Sequence, residues 1–300
     1  MPALAEIVKY ALTANIFLLV VQLGTRASFD EATSFFRNLF RPPASLFRAV
    51  LAMNFVVPLA AAALALTFNI HPAVKIALVA MSISPVPPLV PGKQLRFGGR
   101  ASYVYGLLVA VSLVAIFTVP LSVELLGRLF GRDAHMNFFE ISWLLARTVL
   151  LPLSIGMALR AFAPKRIARA SERIARVCNS LLIVGLAPIF WKAAPDMWSL
   201  VGNGTVLSIA ALAFAAMAAG HWIGGPNEQD RTALGIFAAV RHPGVALAIA
   251  KDNWPADRLI PAAILLFSLV TFATTTLYGR YRLKRYSVPE SLTSVPPPPR

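Results

Sequence analysis

Nine stretches of about 20 predominantly apolar residues constrain this chain more than any other feature, since that length and polarity is what the hydrocarbon core of a bilayer requires. They lie at 7–25, 46–68, 73–97, 101–126, 138–161, 177–196, 200–223, 231–250 and 256–279. The short connections between them leave no room for a separate water-soluble domain. Composition agrees: 57% of the 300 residues are hydrophobic and 14% charged, against about 45–50% and about 25% in a soluble domain. An ordinary soluble enzyme, a disordered chain and a disulfide scaffold are excluded. The single cysteine, Cys178, is expected to be a packed thiol. The expected fold class is all-α, a polytopic membrane protein of about nine transmembrane helices. Residues 287–300, with prolines at 296–299, read as a flexible tail. Thr25-Arg26-Ala27 loosely resembles a signal cleavage site, but Arg26 and the charged segment after it fit a retained span better.

The net charge of +15 would suggest nucleic acid on a soluble protein; here it reports topology, and no nucleic-acid partner is expected. Odd span number puts the termini on opposite sides. One side then collects 19 basic residues, from Arg26, Arg37, Arg41, Arg48, Lys93, Arg96, Arg100, the 160–176 linker, Arg231 and the C-terminal segment. The other side holds seven: Lys9, Lys75, Arg128, Arg132, Lys192, Lys251 and Arg258. The positive-inside asymmetry places the N-terminus outside and the C-terminus in the cytoplasm, in a cell (inner) membrane. The linker from Pro164 to Arg176 reads as a basic amphipathic helix on the inner leaflet.

Two spans cannot be simple helices. The third contains Pro85, Pro87, Pro88, Pro91 and Gly92 within eight residues, and each proline removes a donor and clashes with the turn before it. The eighth is broken at its centre by Arg241-His242-Pro243-Gly244. Non-helical backbone at membrane depth is tolerated only where protein buries it or it lines a polar cavity. Each broken span is followed by one further span. Breaks at matching positions in two halves point to an inverted-repeat secondary transporter with its substrate site at the breaks; a simple proline kink in each helix is the alternative.

At these residues the sequence resembles the bile acid:sodium symporter family. The matching segments are Gln22-Leu23-Gly24 with Ser28-Phe29-Asp30, then Met53-Asn54-Phe55-Val56-Val57-Pro58-Leu59, the third span with Gly98-Gly99, Leu151-Pro152-Leu153 through Arg160, and Arg231-Thr232 followed by Pro243 through Ala250. The resemblance covers nearly the whole chain. It implies two inverted repeats, the first lacking one helix, and two unwound helices that cross. It also implies a core subdomain from 46–68, 73–126 and 200–279, and a panel from 7–25 and 138–196.

The departures from the family pattern are concentrated at its sodium ligands. The family's Ser-Asn pair falls on Val90-Pro91, its hydroxyls near Val104, Gly106 and Leu108, and its Glu-x-Gly-x-Gln-Asn on Phe237 through His242. Asn54 keeps a ligand-like amide. No acid lies mid-span, so by this alignment both Na⁺ sites read as dismantled, and no metal or other cofactor is expected. Basic residues stand nearby instead: Lys93, Arg96, Arg241 and His242. A charge at mid-bilayer costs at least about 2.5–3.5 kcal/mol and therefore faces a partner or water. Two readings of Arg241 stay open: it binds an anionic substrate, or it caps carbonyls at the break. Lys93 and Arg96 read either as site residues or as positive-inside anchors. Arg147, mid-span, reads as a contact from the second subdomain or a carbonyl ligand. The expected substrate site comprises Arg241, His242, Lys93, Asn54, Pro91, Gly92, Pro243 and Gly244, with half-helix N-termini supplying N–H donors. His242 is the candidate for proton coupling.

The function expected is alternating-access transport of a small organic anion. An anion channel and a transport-inactive receptor on the same scaffold are the rivals. No nucleophile, acid pair or metal spacing supports an enzyme; His71, His135, His221 and His242 are scattered singly. Monomer and homodimer are both open.

Overall fold

Proline placement decides where the helices start, widen and stop. The computed structural model describes residues 2–37, 45–129, 131 and 137–286. The expected tail at 287–300 lies outside them, as do Arg41, Arg132 and His135. The described helices are α1 (Pro2–Gly24), α2 (Phe29–Arg37), α3 (Ser45–Thr67), α4 (Pro72–Ile83), α5 (Val90–Arg96), α6 (Ala101–Leu129), α7 (Phe138–Phe162), α8 (Pro164–Ser199), α9 (Thr205–Ile223), α10 (Glu228–Ala239), α11 (Pro243–Asn253) and α12 (Leu259–Tyr286). No strand occurs among the described residues, so the all-α polytopic expectation holds. Seven helical stretches are long and apolar enough to cross a membrane, with Glu228–Asn253 counted as one of them. Tyr10–Gly24 and Pro72–Ile83, where two further spans were expected, are shorter apolar helices.

Helices α4, α8 and α11 each begin with proline at the first helical position, where a missing N–H costs nothing and φ is already helical. At α4 and α11 the residue before the proline is histidine. His71 Nδ1 accepts from Ala73 N at 3.2 Å, and His242 Nδ1 accepts from Gly244 N at 3.1 Å. Asn137 and Asn227 cap α7 and α10 in the usual asparagine manner.

Inside α3 and α7, prolines act differently. Leu51–Val56 and Ala146–Leu150 are π-helical turns, and each is followed two residues later by a proline, Pro58 or Pro152. A proline within a helix removes one donor, and a widened turn absorbs the mismatch. The widening shows in the bonds: Val57 N–H donates to Ala52 O and Leu151 N–H to Ala146 O, five residues back.

Helix α1 packs against the second half of α7 and against α8, while α3, α4 and α9–α12 pack around the two breaks. Short α2 lies on α6. The 164–176 segment is not a separate interfacial helix. It is the first third of α8, a continuous helix of 36 residues, about 54 Å long at 1.5 Å per residue. That exceeds a hydrocarbon core of about 30 Å, so no turn is needed between the basic segment and the span. Ser171 fixes it to the end of α1, taking hydrogen bonds from Gln22 Nε2 at 3.0 Å and Thr25 Oγ1 at 2.9 Å. Cys178 is a buried free thiol, as expected.

Helices in lipid associate through close packing, which small residues permit. At the α1–α7 crossing, a Cβ on Gly156 would stand 2.0 Å from Val21 O, and one on Gly24 2.4 Å from Leu153 O. Both obstacles are backbone and cannot yield. At Gly185 the obstacle is only the flexible side chain of Leu12. Gly156→Ala is therefore expected to cost about 1–3 kcal/mol, and Gly185→Ala markedly less. Thermal melts of the two purified variants in detergent check the order.

Candidate functional site

The third span ends its first half at Ser84 because Pro85 follows, and a residue before proline is pushed out of the helical region. Ser84 is extended (φ −66°, ψ 147°). The eighth span breaks in the same way: Val240 and His242 are extended ahead of Pro243. The two extended segments meet. His242 N–H donates to Pro85 O at 2.8 Å, a backbone bond between the breaks.

Arg241 sits in this crossing, 3% exposed. Its guanidinium makes three hydrogen bonds, all to backbone carbonyls: Nε to Ala238 O at 3.0 Å, Nη1 to Ser84 O at 3.2 Å and Nη2 to Met53 O at 2.7 Å. Each acceptor has a local reason to be available. Ser84 and Ala238 lie at the C-terminal ends of α4 and α10, where carbonyls lack helical partners and the helix dipole is negative. Met53 lies in the π turn of α3, five residues before Pro58, which has no N–H to give. One cation thus joins three helices. Of the two readings of Arg241, the geometry matches the carbonyl cap; its bonded nitrogens point at backbone and not into a cavity.

The other expected site residues divide. His242 stands at the crossing and is half-buried; its accepting Nδ1 carries no proton and caps α11. Asn54, also half-buried, donates from Nδ2 to Thr118 Oγ1 on α6 at 2.9 Å. Pro91 is buried and Gly92 half-buried at the start of α5; Pro243 is half-buried and Gly244 exposed at the start of α11. Lys93 is not at the crossing. Its Nζ donates to Thr275 Oγ1 at 2.8 Å and Phe272 O at 3.1 Å, and lies 4.3 Å from the centre of the Phe272 ring. It ties α5 to α12. Arg96 is exposed at the end of α5. Val90, Leu108 and Phe237 are packed in the apolar core. Arg147 occupies the π turn of α7, exposed, and forms no hydrogen bond or ion pair among the described residues.

The acids at the start of α10 were not expected to matter. Asp230, 6% exposed, pairs with Arg100 through both carboxylate oxygens. Glu228 pairs with Arg282 of α12 and with Arg231. These pairs hold the first turn of α10 to the start of α6 and to α12. Their signal lay in the sequence as two acids in a helix's first turn, facing arginines far along the chain.

Among the described residues, seven membrane-length helical stretches, one of them broken, and a second broken span that meets it at the break define a polytopic helical membrane protein. Residues 13–195 match the model of the Sodium Bile acid symporter family. The match spans more than half of the chain, and the protein belongs to that family, a family of membrane transporters and not of enzymes. It ends before α9, so Arg241 lies beyond the matched segment. A search of curated proteins found no match.

Arg241→Met would leave three carbonyls without donors. At about 1–3 kcal/mol per orphaned buried group, a loss of at least about 3 kcal/mol is expected, seen as a large fall in melting temperature. Lys93→Met, with two acceptors released on one helix, is expected to fall less. Equal melts for wild type and Arg241→Met would contradict the capping geometry.

Proposed function

We propose that the protein carries a small organic anion across the cell membrane by alternating access, without the sodium ions of its family's name. The observation that supports this is the set of three carbonyls around the Arg241 guanidinium. Carbonyls at the ends of broken helices are the groups that coordinate Na⁺ in transporters of this architecture. Here a tethered cation takes up those groups. It supplies the positive charge an ion would bring, and it cannot be released to carry the energy of an ion gradient.

An anion then has the other ends of the broken helices to meet. The N-termini of α5 (Val90, Pro91, Gly92) and α11 (Pro243, Gly244) offer partial positive charge to a carboxylate, sulfonate or sulfate. Pro91 and Pro243 have no N–H, so Gly92 carries the donor at α5, and the Gly244 N–H, held by His242 Nδ1, becomes a donor to the anion only when that cap opens. His242 directly precedes Pro243 at the second of these, and Asn54 follows Met53, whose carbonyl Arg241 holds. With Arg241 and Lys93 both taken up within the helices, Arg147 is the mid-span cation left for the substrate's charge. An exposed guanidinium at that depth is tolerable only against water or an anion, which fits a cleft between the two subdomains. In this reading α3–α6 and α9–α12 form the moving core, and α1, α7 and α8 the panel. Protonating His242 would replace the Nδ1 acceptor with a donor and release the Gly244 cap, so this ring is the candidate for proton coupling.

The test begins with a panel of small carboxylates, sulfonates and sulfates, ranked by the rise in melting temperature each gives the purified protein. Uptake of the best one into proteoliposomes should be the same in Na⁺ and in choline. Arg147→Gln should lower uptake about tenfold or more while leaving the melt unchanged. Uptake that collapses without Na⁺ would overturn the proposal.

A further inference from the structure

A cavity of about 270 Å³ lies between α4, the C-terminal end of α6 and α11, reaching along α4 as far as Ile83, the residue before Ser84. Its α4 wall is one stripe at helical spacing, from Lys75 through Val79 to Ile83. Val123, Ile249 and Trp254 close the other sides. No residue of α1, α7 or α8 lines it, so it belongs to neither the proposed cleft nor the panel.

Lys75 is the one charged residue in this lining, and it forms no hydrogen bond or ion pair among the described residues. It stands one turn into α4, half-buried, with the apolar wall running from it towards the crossing. Lys75 to Ile83 is eight steps along the helix, about 12 Å at 1.5 Å each. The volume equals about nine waters, the room of a single chain of about eight carbons. An unpaired cation at one end of a narrow apolar slot is matched by one class of ligand.

We propose that this cavity binds a single-chain amphiphilic anion, with the acidic head on Lys75 and the apolar tail along α4. A free fatty acid supplies that chemistry whole, and an anionic bilayer phospholipid supplies it with one of its two chains. The inference stands apart from the transport reading, since none of these residues is assigned to the crossing.

The test uses the full chain in nanodiscs of zwitterionic lipid, titrated calorimetrically with straight-chain carboxylates from butanoate to dodecanoate. Each added methylene should tighten binding about fourfold, with a plateau near eight carbons. Lys75→Gln should weaken octanoate about tenfold and leave octanol unchanged, whereas Lys75→Arg should keep octanoate binding. Val79→Trp, which fills the slot, should abolish the chain-length dependence if the glutamine variant does not fold. Repeating the octanoate titration with anionic phospholipid in the disc separates the sources: competition assigns the site to lipid, and its absence to the free acid. Equal octanoate affinity in wild type and Lys75→Gln, or affinity rising without a plateau through dodecanoate, would overturn the site.

Discussion

Three carbonyls from three helices converge on one guanidinium, and the crossing of the two broken spans depends on that contact. Breaking a helix inside a bilayer exposes carbonyls that water cannot reach, each costly if left alone. At the end of α4, at the end of α10 and in the π turn of α3, Arg241 meets that cost with a single planar fork. The same contact answers the opposite problem. A buried arginine needs compensation, and here the partial negative charge of two helix C-termini takes the part a carboxylate would otherwise play. No carboxylate pairs with Arg241 among the described residues, and the three carbonyls take that place.

Other contacts around the crossing follow from the same logic of supplying donors and charge locally. The backbone bond from His242 to Pro85 holds the two breaks together. Lys93 anchors α5 to α12, and the pairs of Asp230 with Arg100 and of Glu228 with Arg282 fix the start of α10. Each of these bonds joins elements distant in sequence. Together they hold half-helices that are too short to cross the membrane alone.

Much of the fold was legible in the sequence because apolar length and proline placement act locally. Seven of the nine expected spans, the two breaks and the helix starts at Pro72, Pro164 and Pro243 follow from residues within a few positions. The role of Arg241 was legible only as a pair of alternatives. Its partners are backbone carbonyls, which carry no side-chain signature, and they come from positions far apart in the chain. One hint existed: Pro58, five residues after Met53, marks a carbonyl that a π turn leaves open. The bonds of Lys93 were hidden for the same reason, since its acceptors on α12 lie about 180 residues away. The basic segment at 164–176 was read as a separate helix because its charge differs from the span that follows, yet nothing between them stops a helix.

The family is named for sodium, and the proposal of transport without it rests on the guanidinium that holds three carbonyls at the crossing. Equilibrium binding of radiolabelled sodium to the purified protein tests this most directly. No saturable binding is expected to the wild type, and sites should appear when Arg241→Gln removes the cation and puts an amide at that position. Saturable, stoichiometric sodium binding to the wild type would contradict it.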